Sequence, residues 1–342
     1  MCDRGGLVTF PGSEWGTGAV LSDVDGRLLS SEIDSQFTDT SRHGTTLATV
    51  VVHRGLVVAE RYDGSVGPST KLISWSMAKS ITDALVGMSV LDGLLDVDAP
   101  APVAAWANDA RSAITMQHLL EMRSGLRWLE DYVDGETSDV IAMLFGTGKD
   151  DHARYAIGSS LEHAPGSTWV YSSGTTNVIT RILGDLLGDA SGSHDRMDVL
   201  LARLFGTLGM DAEPQFDAAG TFVGSSYVFA SARDFARFGY LYLRDGVWED
   251  ERILREGWVD HARRQHVIDV ESNLGYGSHW WTLPEEADAL VASGYEGQHI
   301  IVCPSRDLVV VRLGKTVADL RSNVLASLRR IVSAFPATGA RA

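Results

Sequence analysis

Ser76 and Lys79 stand three residues apart in the segment Ser74-Trp75-Ser76-Met77-Ala78-Lys79-Ser80, a spacing that brings hydroxyl and amine onto one face of a helix. A serine hydroxyl is a poor nucleophile until a neighbouring base takes its proton, and lysine is such a base only where burial or a nearby charge lowers its pKa. The flanks are suitably apolar: Ile73 and Trp75 precede the serine, and Met77, Ala78 and Ile81 surround the lysine. A helix beginning at Ser76 adds a dipole that favours developing negative charge. Taken alone, the pair reads more simply as a capping serine with a surface lysine. A third candidate is Tyr171, in Trp169-Val170-Tyr171-Ser172-Ser173-Gly174 just ahead of a predicted helix. From that loop its phenol could project into a cleft and serve as general base or acid. Taken alone, it is more simply a core tyrosine on a turn.

The elements around these residues follow from pattern. Leu47 to Val52 and Leu56 to Tyr62 are β-rich runs separated by His53-Arg54-Gly55, which predicts a hairpin. A helix is expected from Ser76 to Leu91, with Ile81, Leu85 and Met88 on one face and Gly93 at its end. Residues 96–256 read as mainly helical, including Thr175 to Leu187 and a helix capped by Ser231-Ala232-Arg233-Asp234 that buries Phe235, Phe238 and Tyr242. Strand patterns return at Gly275 to Leu283, Gln298 to Cys303 and Leu308 to Leu313, followed by an amphipathic helix from Asp319 to Phe335. Residues 1–44 read as a loosely structured lead-in with one short element, and Gly188 to Ser193 as a loop. The expected architecture is α+β: an antiparallel sheet flanked by helices, formed by 1–95 and 257–342, with an all-helical insertion at 96–256 and the active site in the cleft between them.

Composition narrows the function. The chain has 342 residues, 44% hydrophobic, with a formal charge of −16 and no clustered Lys and Arg, which argues against nucleic-acid binding. Only four lysines occur, Lys71, Lys79, Lys149 and Lys315, so one on an apolar helix face stands out. No stretch has the length of a membrane span and the first residues do not resemble a signal peptide, so a cytoplasmic location is expected. Cys2 and Cys303 share no metal-ligand spacing, and no disulfide is expected. The ten histidines show no HExxH spacing, so no metal is expected either.

With these motifs in place, the sequence resembles the class C β-lactamase and penicillin-binding esterase superfamily, and more narrowly its 6-aminohexanoate-dimer hydrolase branch. The resemblance rests on Ser74 to Ser80, on Thr115 to Leu126 (TMQHLLEMRSGL), on Tyr171-Ser172-Ser173-Gly174, on Ser231 to Gly239 (SARDFARFG) and on Gly294-Tyr295-Glu296-Gly297-Gln298, in family order across roughly residues 45–320. It implies a β-lactamase/transpeptidase-like fold with Ser76 as nucleophile, Lys79 as its activating partner and Tyr171 as acid/base. Ser173 stands where many relatives have asparagine and is expected to hydrogen-bond Lys79 or the substrate. The family's third motif, a basic residue followed by Thr or Ser and then Gly, aligns with Ala292-Ser293-Gly294, so the cation is missing; Lys315-Thr316 is a chance match. The backbone amides of Ser76 and Tyr295 are expected to form the oxyanion hole, with Gly294 permitting close approach.

Ser293, Tyr132 and Trp169 complete the expected substrate contacts, and Trp128 is a further candidate cleft aromatic. The acidic residues of Glu130-Asp131-Tyr132-Val133-Asp134 could favour a substrate ammonium group or form a solvated loop. The missing cation fits esters or linear amides better than β-lactams or D-alanyl peptides. The expectation is a cofactor-free serine hydrolase acting through an acyl-enzyme on a small-molecule ester or amide. A β-lactamase, a D,D-peptidase and a catalytically idle binding module are its rivals, and homodimerisation stays open.

Overall fold

Alternating burial organises the molecule around one sheet, as the computed structural model shows for residues 9–12, 14–132, 138–187, 195–270 and 272–337. The expected hairpin forms from Thr45–His53 (β1) and Leu56–Tyr62 (β2), turning through Arg54 and Gly55, both at positive φ. Six further strands complete the sheet: Val267–Asp269 (β3), Leu274–Tyr276 (β4), Trp281–Leu283 (β5), Glu286–Gly294 (β6), Gln298–Cys303 (β7) and Leu308–Lys315 (β8). Their order is β2-β1-β8-β7-β6-β5-β4-β3, with every neighbouring pair antiparallel. The run expected as one strand from Gly275 to Leu283 is two, because the chain turns at Gly277 and bonds back to Trp280.

Side chains on the central strands divide between two cores, as a period of two requires. Val50, Val52, Ile300, Val302, Val309 and Val311 face one core, while Val51, Ile301, Cys303 and Val310 face the other. The second core is covered by Gly26–Thr38 (α1) and, from the far end of the chain, by a helix at Arg321–Ser333. Helix α1 is longer than the short element expected of the lead-in. Its inward stripe is Leu29, Ile33 and Gln36, too polar for periodicity to mark. Gln36 is satisfied internally, donating to Ser327 and accepting from Thr49.

On the first core's side lie the helices Ala78–Leu91 (α2), Asp139–Phe145 (α3), Ser173–Leu187 (α4) and Ala232–Leu243 (α5), and the C-terminal helix on the opposite face is α6. The capping box is present: Ser231 Oγ accepts from the Asp234 amide at 3.1 Å, and Asp234 Oδ2 accepts from the Ser231 amide at 3.3 Å. Phe235 and Phe238 are buried as predicted, and α5 packs directly on β1, β7 and β8. The sheet's covering layer therefore draws on a segment within 96–256. Among the described residues no helix is long and apolar enough to cross a membrane. Cys303 is a buried thiol; Cys2 and the Gly188 to Ser193 loop lie outside the described residues.

Candidate active site

The nucleophile candidate lies in a tight turn rather than in the helix proper. Trp75–Met77 forms a single 3-10 turn leading into α2, and Trp75 has φ of 43°, a left-handed conformation uncommon for so large a residue. Such backbone persists where surroundings enforce it, and it clusters at functional sites. Here Ser74 ties the turn to its neighbours: its Oγ accepts from the Val228 amide at 3.1 Å and has the Trp75 carbonyl at 2.9 Å and the Ser226 carbonyl at 3.2 Å as acceptors for its one proton. The end of β6 closes on the same turn. A Cβ on Gly294 would sit 2.4 Å from the Ser74 carbonyl oxygen, so only glycine allows this approach. Tyr295 follows at once, in a turn whose Glu296 is again left-handed at φ of 61° and accepts from Trp75 Nε1 at 3.1 Å. Buried Arg312 on β8 secures that turn from behind, donating to the Gly297 carbonyl at 2.9 Å and the His43 carbonyl at 3.1 Å.

One helical turn beyond Ser76, Lys79 is buried with three partners. Its Nζ lies 3.0 Å from Ser76 Oγ, 3.0 Å from Ser173 Oγ and 3.1 Å from the Ser225 carbonyl. Burial pulls its pKa down to about 8, with the Glu130 carboxylate pulling the other way. Tyr171 presents its ring 4.8 Å from the Lys79 nitrogen. Burial, and then Glu130, push the phenol well above its usual pKa, and a hydrogen bond with Ser76 offsets part of the rise. Near neutrality the lysine is thus the group more readily found as free base, and the phenol keeps its proton.

Glu130 is the residue whose role sequence reasoning missed. Its Oε1 accepts from Ser173 Oγ at 2.5 Å and Tyr132 OH at 3.0 Å; its Oε2 accepts from the Ser173 amide at 2.8 Å and Trp128 Nε1 at 2.6 Å. A carboxylate so engaged is turned inward, away from the ammonium-binding role considered for it. The available signal was the alternation Trp128-x-Glu130-x-Tyr132, which in extended chain brings three polar heads to one side.

A cavity opens beside Ser76, lined by Trp75, Tyr132, Tyr295 and the α3 residues Ile141, Leu144 and Phe145, with Ser226 as a further polar wall. Of the residues expected to touch substrate, Tyr132 lines this cavity, its ring 5.0 Å from that of Tyr295. Trp169 does not: it packs behind Tyr171, against Tyr276 and Trp281. Trp128 is likewise turned inward, edge-on to Tyr155. Ser173 is fully buried as a partner of Lys79, and Ser293 pairs with His299 within the sheet. Ala292 is buried on the face of β6 that also carries Gly294, with no cation in its place. Ile141, Leu144 and Phe145 escaped sequence reading because a short apolar helix looks the same whether it faces a core or a cleft.

A sheet covered on both faces, with a Ser-x-x-Lys turn and a tyrosine meeting beside it, defines the β-lactamase/transpeptidase-like fold. The chain belongs to the beta-lactamase family of serine hydrolases, whose sequence profile matches residues 33–330. It is 25% identical, over 78% of its length and 72% of the relative's, to the 6-aminohexanoate-dimer hydrolase of Paenarthrobacter ureafaciens. Among solved structures it is similar to a provisionally named 6-aminohexanoate-dimer hydrolase from Bacillus anthracis, with TM-score 0.74, 21% identity, and coverage of 96% of this chain and 91% of that one. It is also similar to a β-lactamase/D-alanine carboxypeptidase from Pseudomonas syringae, with TM-score 0.66, 13% identity, and coverage of 90% and 98%.

Proposed function

We propose that this protein hydrolyses esters or linear amides through an acyl-enzyme on Ser76. The observation that carries the reading is the contact of Ser76 with a buried, pKa-lowered Lys79 at 3.0 Å. In the proposed cycle Ser76 Oγ attacks the carbonyl and its proton passes to Lys79. The phenol of Tyr171 protonates the leaving oxygen or nitrogen and is recharged from Lys79. Water then attacks the acyl-enzyme with the same groups working in reverse. The amides of Ser76 and Tyr295 are the proposed donors to the oxyanion, where loss of one donor typically costs about 2.7–4 kcal/mol of barrier.

Substrate character is argued from the walls. The apolar cavity beside Ser76 and the absence of a cation at Ala292 favour uncharged, apolar groups over the carboxylates of β-lactams and D-alanyl peptides. The relatedness to a 6-aminohexanoate-dimer hydrolase supports linear amides as the second class to test. The decisive experiment is labelling with a fluorophosphonate alongside a panel of short esters, linear ω-amino amides and β-lactams. Wild-type protein should be labelled and turn over esters, and Ser76→Ala should do neither. Equal labelling of the variant overturns the assignment, and β-lactam turnover matching ester turnover overturns the substrate class.

A further inference from the structure

A neutral lysine has two N–H groups and one lone pair, and it can act as a base toward Ser76 only if the lone pair points there. The surroundings of Lys79 decide this. The Ser225 carbonyl can only accept, so it takes one N–H. Ser173 Oγ could donate or accept, but it has a single proton and Glu130 Oε1 lies 2.5 Å away. With the proton committed to that carboxylate, Ser173 can only accept from Lys79 and takes the second N–H. The remaining direction leads to Ser76 Oγ at 3.0 Å.

We propose that Glu130 is a positioning residue for acylation: by drawing the Ser173 proton to itself it fixes Ser173 as an acceptor and so aims the Lys79 lone pair at Ser76. The inference rests on Ser76 as nucleophile and Lys79 as its base. Glu130 is itself held by Trp128, Tyr132 and the Ser173 amide. The titratable groups acting around Lys79 are Glu130, Tyr171 and His279. His279 is engaged by Thr176 and the Leu120 carbonyl, and burial keeps it neutral with a pKa of about 3. Glu130 is therefore the anion of this group.

Glu130→Gln is the discriminating variant. Its amide oxygen can still accept from Trp128 and the Ser173 amide, whereas its N–H groups face Ser173 Oγ and free the serine proton to turn onto the Lys79 lone pair. Two readouts apply to the full-length protein: the fluorophosphonate labelling rate, and the titration of Lys79 by NMR of ε-13C-lysine, resolvable because only four lysines exist. Labelling of Glu130→Gln should be slower by about tenfold to hundredfold. Ser173→Ala should be similarly slow, the double variant should be no slower than the slower single one, and Lys79 should titrate at lower pH in Glu130→Gln than in wild type. A labelling rate within about threefold of wild type in either single variant, losses that multiply in the double variant, or an unmoved Lys79 titration overturns the proposal. Should wild-type protein take no probe, the acyl-enzyme reading fails, and the Lys79 titration still decides for or against the hold of Glu130 on Lys79.

Discussion

At the scale of single residues, the proposed chemistry depends on one proton held by Lys79. Because burial brings its pKa to about 8, the fraction in the free-base form rises through mildly alkaline pH. With Lys79 as the base, kcat/KM for a p-nitrophenyl ester should climb about tenfold per pH unit below that value and level off above it. A profile flat from pH 6 to pH 9 would rule Lys79 out as the group that must lose a proton. Ser76 and Lys79 were legible in the sequence because their relation is local: three residues on one helical face. Tyr171 became legible only through its place in a family order. Glu130 was not legible, since its meaning lies in Ser173, 43 residues further on, and in the direction of a hydroxyl proton. Trp169 misled for a related reason, as an aromatic ring next to Tyr171 can face the cleft or support the Tyr171 ring from behind.

Between elements, the critical contact is where β6 meets the turn before α2. The absence of a side chain at Gly294 lets the last residue of a strand reach the Ser74 carbonyl, and this brings Tyr295 to the same cavity as Ser76. Gly294→Ala inserts a methyl at 2.4 Å from that oxygen, and the two elements must separate. Overpacking of this kind costs roughly 1–3 kcal/mol. The variant should therefore melt a few degrees lower and lose at least about tenfold in kcat/KM as the Tyr295 amide retreats; wild-type activity in a stably folded Gly294→Ala would show that the approach is not needed. The hairpin, the capped helix α5 and β7 could be read from sequence because each carries a local signature, a turn, a capping box or a run of β-formers. Strand β6 could not be read beyond its motif: Glu286, Ala287 and Asp288 have no strand propensity, and the segment pairs because β5 and β7 flank it.

For the molecule as a whole, the strand order is the governing fact. β8 lies between β1 and β7, and Arg312 on it reaches both His43, two residues before β1, and the Gly297 turn beside Tyr295, across 269 and 15 residues of chain. During synthesis the β1–β2 hairpin must therefore wait for the strand that fills its open edge. At about 5–20 residues per second, that wait is on the order of ten to fifty seconds. On the proposed mechanism, Ser76 leaves the ribosome early and becomes active late, so a nascent chain is expected to hydrolyse nothing until the sheet around its active-site turn has closed. A chain stalled on the ribosome with β7 exposed and β8 not yet made should carry Ser76 yet take no fluorophosphonate, and release to full length should restore labelling.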